Sequence, residues 1–350
     1  MQVGDGQHLT YCTNIHPAVG WAAVQESLRA HAPALKARLS PDAPFGIGLR
    51  LSGVESSELL EGDRLERFRA WLDGEGLYVF TINGFPHGTF HGQPVKADVH
   101  APDWRTEERV AYTLRLAEIL GALLPDGVDG TISTNPLSYG PWLDGAGLAA
   151  ATRNMVQVGA ELRGTRIALA IEPEADGALA NVSDLIEWWP DALDATVCFD
   201  ACHSAVAYEE PEAALDALDA AGIRVGKAQL SAALTVPASA HAELRAFADP
   251  IYLHQVTERG SGRTWPDLPE ALAANGGGDE WRVHFHVPIF VERYGALEST
   301  QDHLRRCIER VQTAQLEIEM YTWDVLPAGL KASSVDSIAR EYEWVLDVLG

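Results

Sequence analysis

Short apolar runs alternate with amphipathic stretches along the whole chain. Ile167–Ile171 and Thr196–Phe199 are nearly continuous apolar runs, a pattern typical of parallel strands that are buried on both faces. Trp21–Leu39 instead carries apolar residues at the 3.6-residue spacing of a helix that packs one side against a core. Because the two patterns alternate, they predict an α/β protein built around a parallel sheet.

The strand-like runs recur at intervals of roughly 30 to 50 residues, which is the spacing of a (β/α)8 TIM barrel with insertions. No glycine-rich phosphate loop follows any of them, which argues against a dinucleotide-binding sheet. The candidates outnumber the eight places, so we assign Arg224–Leu230 as the seventh strand and Leu316–Tyr321 as the eighth. Tyr252–Val256 and Val283–Val287 then belong to an irregular excursion at about residues 250–290, near the barrel mouth.

The remaining predicted elements complete the barrel. Four further strands are predicted at His8–Thr13, Phe45–Leu51, Leu77–Pro86 and Gly130–Asn135. Besides Trp21–Leu39, the main predicted helices are Thr106–Leu124, Leu143–Leu162, Val182–Trp189, Pro211–Ala221, Ser239–Phe247, Thr300–Gln315 and Ser334–Leu349.

Composition and charge narrow the possible functions. With 350 residues and 47% apolar side chains, the chain can form one barrel domain over residues 1–350. Its net charge of −24 argues against nucleic acid and anionic membranes as partners, since both bind basic surfaces. No apolar run of about 18 residues occurs, so direct membrane insertion is not expected. We therefore expect a small polar metabolite as the partner.

The N-terminus and the cysteines indicate a cytoplasmic protein. The first residues lack the basic start and apolar segment of a signal peptide. Cys12, Cys198, Cys202 and Cys307 are scattered without Cys-x-x-Cys spacing, which indicates reduced thiols.

Oxygen-bearing side chains mark the ends of the last four barrel strands. Glu172, Asp200, Gln229 and Glu319 occupy these places, and Glu317 is the alternative on the eighth strand. Ligands bind beyond the carboxyl ends of parallel strands, and oxygen donors suit a divalent cation, Mg²⁺ or Mn²⁺. We predict that all four side chains bind the metal, and two flanking carboxylates that also bind a metal can move a proton beside a carbonyl.

Structural roles compete with this interpretation. A single acid at a strand end commonly caps the following helix or pairs with an arginine, and a buried amide such as Gln229 commonly satisfies backbone groups. His203 follows Asp200 by three residues, so it is a candidate metal ligand or substrate contact, or else a turn histidine at the surface. Four oxygen donors at matching places favour the metal site.

The same strand-end pattern resembles the xylose isomerase-like barrels. Glu172, the Asp-x-x-His of Asp200 and His203, Gln229 and Glu319 match its strands five to eight. The group includes sugar-phosphate isomerases, ketose 3-epimerases and hydroxypyruvate isomerase, whose third ligand is a glutamine. The resemblance implies that Glu172 and Glu319 are the acid/base pair as well as metal ligands.

A longer resemblance covers nearly the whole chain and is to the metabolite traffic protein EboE family. The matching motifs are HLTYCTNIHP, PFGIGLRLS, LYVFTINGFPHGTFHG, VKADVHAPDW, HFHVPIF, EMYTWDVLP and REYEWVL. This resemblance implies a barrel encoded in a cluster that moves or tailors a secondary-metabolite precursor, with other proteins of that cluster as partners. It implies no established reaction.

That resemblance also draws attention to polar residues near the barrel mouth. The predicted substrate-binding residues are His203, Arg50, Asn83, His16, His87, His254 and His286. Arg50 and Lys96 would anchor an anionic group, although Arg50 could equally form a buried ion pair with a glutamate. His284 and His286 share a strand face, so one or both could bind Zn²⁺. The alternative is that they only pack in the core, and this alternative is favoured for His284 over His286.

Three functions follow from these observations. The leading hypothesis is a metal-dependent isomerase or epimerase that acts on a small polyhydroxylated or cyclitol-like metabolite. Metal-assisted hydrolysis of a phosphoester, as in the endonuclease IV-like branch of the fold, is the second, because its multi-zinc sites are rich in histidine. The third is a binding or traffic protein that holds a metabolite without converting it.

Overall fold

A computed structural model describes residues 1–4, 6–274, 278–327 and 333–350 of the chain. Its strands are β1 (Gln2–Val3), β2 (Gln7–Tyr11), β3 (Phe45–Arg50), β4 (Leu77–Asn83), β5 (Gly130–Thr134), β6 (Ile167–Ile171), β7 (Thr196–Asp200), β8 (Val225–Leu230), β9 (Leu234–Pro237), β10 (Val256–Glu258), β11 (Thr264–Trp265), β12 (Glu280–Val283), β13 (Arg293–Tyr294), β14 (Leu297–Ser299) and β15 (Gln315–Ile318). Its α-helices are α1 (Trp21–Leu39), α2 (Gly53–Leu59), α3 (Arg64–Glu75), α4 (Glu107–Leu123), α5 (Gly145–Leu162), α6 (Val182–Trp188), α7 (Ala201–Val206), α8 (Pro211–Ala220), α9 (Leu268–Ala274), α10 (Gln301–Arg310) and α11 (Ser334–Leu349).

The parallel strands form the predicted TIM barrel. Along the sheet the order is β2-β15-β8-β7-β6-β5-β4-β3, and every neighbouring pair in this order runs parallel. The strand β15 lies between β8 and β2, which confirms the assignment of the seventh and eighth barrel strands. The short strand β1 pairs antiparallel with β2 and lies outside the barrel pattern.

Glycine at position 48 lets the barrel close between β2 and β3. Cys12, just after β2, forms an isolated parallel bridge with Gly48 on β3. A β-carbon at Gly48 would overlap the Glu317 carboxylate and lie 3.0 Å from the Tyr11 carbonyl oxygen. A side chain at this position would therefore push apart the strands that complete the barrel.

The excursion between β8 and α10 is larger than the sequence indicated. A second, antiparallel sheet in the order β11-β10-β12-β9-β14-β13 occupies this region. It begins at Leu234, about 16 residues before the predicted start at 250, because only three residues separate the seventh barrel strand from β9. The helix predicted at Ser239–Phe247 is present as a 3-10 helix, Ala238–Ala246.

A buried ion pair lies inside the barrel. Lys227 on β8 contacts Glu317 on β15, and both side chains are fully buried. Burial alone would lower the pKa of Lys227, but the adjacent Glu317 carboxylate raises it above its usual value. The lysine is therefore a fixed positive charge beneath the polar groups at the carboxyl ends of the strands.

The cysteines match the sequence-based expectation. Cys12, Cys198, Cys202 and Cys307 are buried and free of disulfide bonds. In the described part of the chain, no helix is both long and apolar enough to cross a membrane.

Candidate metal and active site

Glu172 projects from the end of the fifth barrel strand. It directly follows β6, and its backbone N–H donates to the Thr134 carbonyl (3.0 Å) at the end of β5. The side chain is buried, and Oε1 lies 3.7 Å from Nδ1 of His203. Oε2 has no hydrogen-bond partner within the described chain, so this oxygen is available to a ligand.

Asp200 ends the sixth barrel strand and begins a helix. Its Oδ1 accepts hydrogen bonds from the His203 backbone N–H (2.9 Å), as the N-cap of α7, and from the Ser231 hydroxyl (2.8 Å). The aspartate thus has the capping role that competed with the metal site. Its second oxygen, Oδ2, is buried and lacks a partner in the described residues. Capping occupies one oxygen and leaves the other for a cation.

Glu319 follows the eighth barrel strand and is held by two amides. Its Oε1 accepts from the side chains of Asn14 (2.8 Å), which follows the neighbouring strand β2, and Asn83 (2.9 Å), which ends β4. Its Oε2 lies 3.7 Å from Nδ1 of His286. Asn83 lines the cleft and helps to orient Glu319, and its predicted role in substrate binding stays a prediction.

The three carboxylates converge on one point. One oxygen each from Glu172, Asp200 and Glu319 lie within 4.8 Å of one another, and all three residues are buried. Like charges this close, out of water, are stable only with protons or a cation between them. Two of their oxygens lack partners, and carboxylates are the donors that Mg²⁺ and Mn²⁺ prefer. The residues present therefore fit a hard divalent cation.

The pKa values of the carboxyl groups reflect this crowding. Burial, then the charges of Glu319 and Asp200, raise the pKa of Glu172 well above its usual value. Burial, then Asp200 and Glu317, do the same for Glu319. Burial also acts to raise the pKa of Asp200, but neighbouring histidines and its hydrogen bonds bring it below its usual value. Without a cation, Asp200 is the group that stays ionised.

Gln229 points into a deeper layer of the barrel. Its Oε1 accepts from the Cys198 thiol (3.4 Å), and its side chain also contacts Glu317. Cys198 and Glu317 each lie two residues before the corresponding carboxylates Asp200 and Glu319, so Gln229 is one layer beneath them. Ser231, two residues further along, reaches Asp200 instead. The role of Gln229 as a metal ligand stays a prediction.

Histidines from the excursion complete the mouth of the barrel. His284 and His286 follow β12, are buried, and lie 3.2 Å apart between their Nε2 atoms. His203 packs edge-on to both, with ring centroids 4.7 and 5.7 Å away. Burial lowers the pKa of His286 to about 4. Sequence analysis identified His203 and His286 but ranked His284 as a packing residue.

A cleft of about 510 Å³, measured out to bulk solvent, opens onto these groups. Its polar end includes Glu172, Glu174, Glu319, His203 and His284. Its other walls are mainly apolar or aromatic and include Phe85, Pro86, Phe90, Val95, Val99, Tyr252, Leu253 and Tyr321.

Five predicted substrate-binding residues lie outside the lining of this cleft, namely His286 and the four residues described next. His16 bonds the Tyr11 hydroxyl (3.1 Å), and His87 lies 3.8 Å from Glu108. His254 contacts the Asp249 carboxylate and the His284 carbonyl. Arg50 forms a buried ion pair with Glu55 (3.4 Å), as the alternative to anion binding predicts. Glu55 is not one of the three converging carboxylates. The assignment of all five residues to substrate binding stays a prediction.

Lys96 is also committed to protein contacts. Its Nζ donates to the Asp267 carboxylate and to the Tyr252 carbonyl, each at 2.6 Å. Because the charge is already paired, Lys96 is poorly placed to anchor an anionic substrate group, although it lines the cleft.

Sequence analysis missed Glu174 and Tyr321. Glu174 lies two residues after Glu172, and its Oε1 is 3.6 Å from Nδ1 of His284. The Glu-x-Glu spacing, which places alternate residues on one side of an extended chain, was the available signal. The sequence around Tyr321 carries no comparable signal, because the position of this side chain depends on the fold of the excursion.

The fold is similar to that of several solved structures. A xylose isomerase-like TIM barrel protein from Mycobacterium smegmatis, in complex with magnesium, is 14% identical, with a TM-score of 0.57 over 99% of this chain and 97% of that chain. D-allulose 3-epimerase from Methylomonas sp. in complex with D-allulose is 10% identical, with a TM-score of 0.53 over 99% of each chain. L-ribulose 3-epimerase is 11% identical, with a TM-score of 0.51 over 98% of this chain and 94% of that chain. No family model and no curated protein matches the sequence. The likeness shows a xylose isomerase-like TIM barrel fold.

Proposed function

We propose that the protein is a metal-dependent isomerase or epimerase that acts on a small polyhydroxylated or cyclitol-like metabolite. The observation that carries this proposal is the convergence of Glu172, Asp200 and Glu319, with two unpartnered oxygens, at the inner end of a cleft. The fold likeness to two sugar 3-epimerases supports the same reaction class.

Glu172, Asp200 and Glu319 would hold the cation, whereas Gln229, the fourth ligand that the sequence predicts, lies one layer deeper and is not used in this proposal. Mg²⁺ or Mn²⁺ suits this oxygen-rich set, and Zn²⁺ remains an alternative because histidines lie beside it. When bound, such a cation polarises the substrate carbonyl and stabilises negative charge on its oxygen.

The two glutamates are proposed to move the substrate proton. Glu172 presents Oε2, which has no partner in the described structure, and is the candidate to take a proton from carbon next to the carbonyl. Glu319 is fixed at Oε1 by Asn14 and Asn83, and it is the candidate to return a proton to the substrate carbon. Because these residues come from different strands, a substrate held between them can lose and gain protons on different faces.

The cleft suggests how the substrate is oriented. Carboxylates and histidines at the inner end can accept hydrogen bonds from hydroxyl groups. Phe85, Phe90 and Tyr321 offer flat apolar surfaces that can cover the C–H face of a ring or carbon chain. The proposed substrate therefore has an oxo or hydroxyl-rich end and one apolar face.

The relation to the EboE family remains part of the proposal. Its motifs supply several groups at the site, including Asn14, Asn83, His284 and Glu319. On this basis we infer a role in making or moving a secondary-metabolite precursor in the cytoplasm, with other proteins of the same cluster as partners.

Deuterium exchange from solvent tests this function. Ketoses, aldoses and oxo-cyclitols are incubated in D2O with the protein and MnCl2, and NMR measures deuterium at carbon next to the carbonyl. We expect exchange with at least one compound, and its loss in both Glu172→Gln and Glu319→Gln. Glu341→Gln is the matched control, since Glu341 is a buried glutamate outside the cleft whose pKa burial raises to about 8. Manganese-loaded protein that exchanges none of these compounds would instead favour a carrier.

Metal-assisted phosphoester hydrolysis is the second candidate. The observation that favours it is the group of buried histidines beside the carboxylates. Release of phosphate from small phosphomonoesters or phosphodiesters, without deuterium exchange, would support it over isomerisation.

A further inference from the structure

Hydrogen bonds fix three buried histidines in the same tautomer. Nδ1 of His203 faces the Pro173 carbonyl (2.9 Å), and Nδ1 of His286 faces the Glu319 carbonyl (3.1 Å). A carbonyl oxygen only accepts, so each Nδ1 carries the proton and donates it. In a neutral ring, Nε2 then keeps its lone pair, which is the arrangement seen in histidines that bind metals through Nε2.

His284 follows the same rule through a side-chain amide. Its Nδ1 lies 2.6 Å from Oε1 of Gln255. The amide nitrogen of Gln255 is directed to the Ala175 carbonyl (3.0 Å), which sets the orientation of the amide and leaves its oxygen towards the ring. His284 Nδ1 therefore donates, and its Nε2 carries a lone pair.

Two of these lone pairs face each other. Nε2 of His284 and Nε2 of His286 are 3.2 Å apart, a hydrogen-bonding distance at which neither nitrogen has a proton to give. The Tyr321 hydroxyl, 3.2 Å from Nε2 of His284, can donate one proton there but leaves His286 facing another nitrogen. A bound cation between the rings relieves this contact for both.

The ring positions match those around a single ion. Imidazole nitrogens bound at about 2.0–2.1 Å in a tetrahedral arrangement are roughly 3.3 Å apart, with ring centroids roughly 5 Å apart. The centroids of His203, His284 and His286 are separated by 4.7, 5.2 and 5.7 Å. Ligand atoms of His203 lie within 4.8 Å of those of His286 and Asp200, and in a separate group of those of His284 and Glu174, so His203 is close to both of the other rings.

We propose that His203, His284 and His286 form a second cation site, separate from the three carboxylates, that prefers Zn²⁺ or a similar borderline metal. Asp200 lies within ligand reach of two of these histidines and also belongs to the carboxylate group, so it can bridge the two ions. Glu174 is a further candidate for the fourth position, and its Oε2 is buried without a hydrogen-bond partner in the described residues.

This proposal extends the proposed function but does not depend on it. Imidazole nitrogen suits Zn²⁺, whereas the carboxylates suit Mg²⁺ or Mn²⁺, so the two sites differ in the metal that they prefer. A second ion could hold another oxygen of the substrate, which both isomerisation and hydrolysis can use.

X-ray absorption at the zinc edge tests the site in the intact protein. Metal-free protein receives excess Mg²⁺ to fill the carboxylate site and then one equivalent of Zn²⁺. We expect an imidazole-rich shell with about three nitrogen-bound rings. An oxygen-only shell, or zinc that does not bind, would overturn the proposal whatever the deuterium-exchange result.

Variants provide the second arm, with zinc affinity as the measurement. His286→Asn should weaken zinc binding by at least about 100-fold, since loss of even an indirect partner costs 10- to 100-fold. His303→Asn, which changes a buried histidine on α10, should leave zinc affinity unchanged. Equal zinc affinity in the two variants would refute the site, and circular dichroism would show that both are folded.

Discussion

The buried pair of Lys227 and Glu317 offers a sharp test of the barrel interior. Both side chains are fully buried and in direct contact, so Lys227→Met leaves an unpaired carboxylate where water cannot reach. Breaking a buried pair by removing one partner costs about 3–5 kcal/mol. At about 2 °C per kcal/mol for a chain of this size, the midpoint of thermal unfolding should fall by roughly 6–10 °C.

The double variant Lys227→Met with Glu317→Gln is the matched control. It removes both charges, and replacing a buried pair by neutral groups is often close to neutral in stability. The double variant should therefore recover most of the loss. A single variant that loses less than about 1 kcal/mol, or a double variant as unstable as the single, would refute this reasoning.

The stability of the single variant should also depend on pH. Without the lysine, the folded-state pKa of Glu317 lies above its unfolded value, because burial raises it and the opposing charge is gone. The folded protein then binds a proton more tightly than the unfolded chain, so the loss of stability is smallest below the unfolded pKa and grows as pH rises towards the folded one. Urea unfolding of wild type and variant at pH 5 and pH 8 measures this difference.

Three further predictions concern the closure of the barrel and the cation site. Gly48→Ala should lower the free energy of unfolding by about 1–3 kcal/mol through overpacking, whereas Gly74→Ala, an exposed helix position with open space, should not. Ser231→Ala removes a hydrogen bond to Asp200 and should weaken Mn²⁺ binding, measured by calorimetry, by about 10-fold or more. The control Ser337→Ala changes a buried hydroxyl that has no hydrogen-bond partner in the described chain, and it should leave Mn²⁺ binding unchanged. The affinity for Mn²⁺ should rise with pH, because Glu172 and Glu319 have raised pKa values and must lose their protons to bind the ion. An affinity that stays constant between about pH 5 and 8 would contradict this prediction.

The barrel could be predicted because its strands have a strong local signal. Phe45–Arg50 is buried along its whole length, and Ile167–Ile171 is buried except at the half-buried Ala168, so both sequences are largely apolar. The excursion gave a weaker signal. Its strands are short, from two to four residues, and Val256–Glu258 pairs with segments distant in sequence. Pairing of this kind depends on tertiary contacts that local periodicity does not carry.

The candidate site shows the same division. Glu172, Asp200 and Glu319 could be placed together because strand ends in a parallel barrel meet at one edge. The depth of Gln229 in the barrel could not be predicted, because it depends on the stagger between β8 and its neighbouring strands. That stagger brings Ser231, rather than Gln229, to Asp200. Likewise, the Glu55 partner of Arg50 belongs to a helix that the sequence pattern did not indicate.

Anomalous diffraction at the manganese edge tests the central claim most directly. Crystals of the protein soaked in MnCl2 should show a peak within bonding distance of carboxylate oxygens from Glu172, Asp200 and Glu319. The same peak should be absent in crystals of Asp200→Asn. Wild-type crystals with no manganese peak among these three side chains would contradict the account.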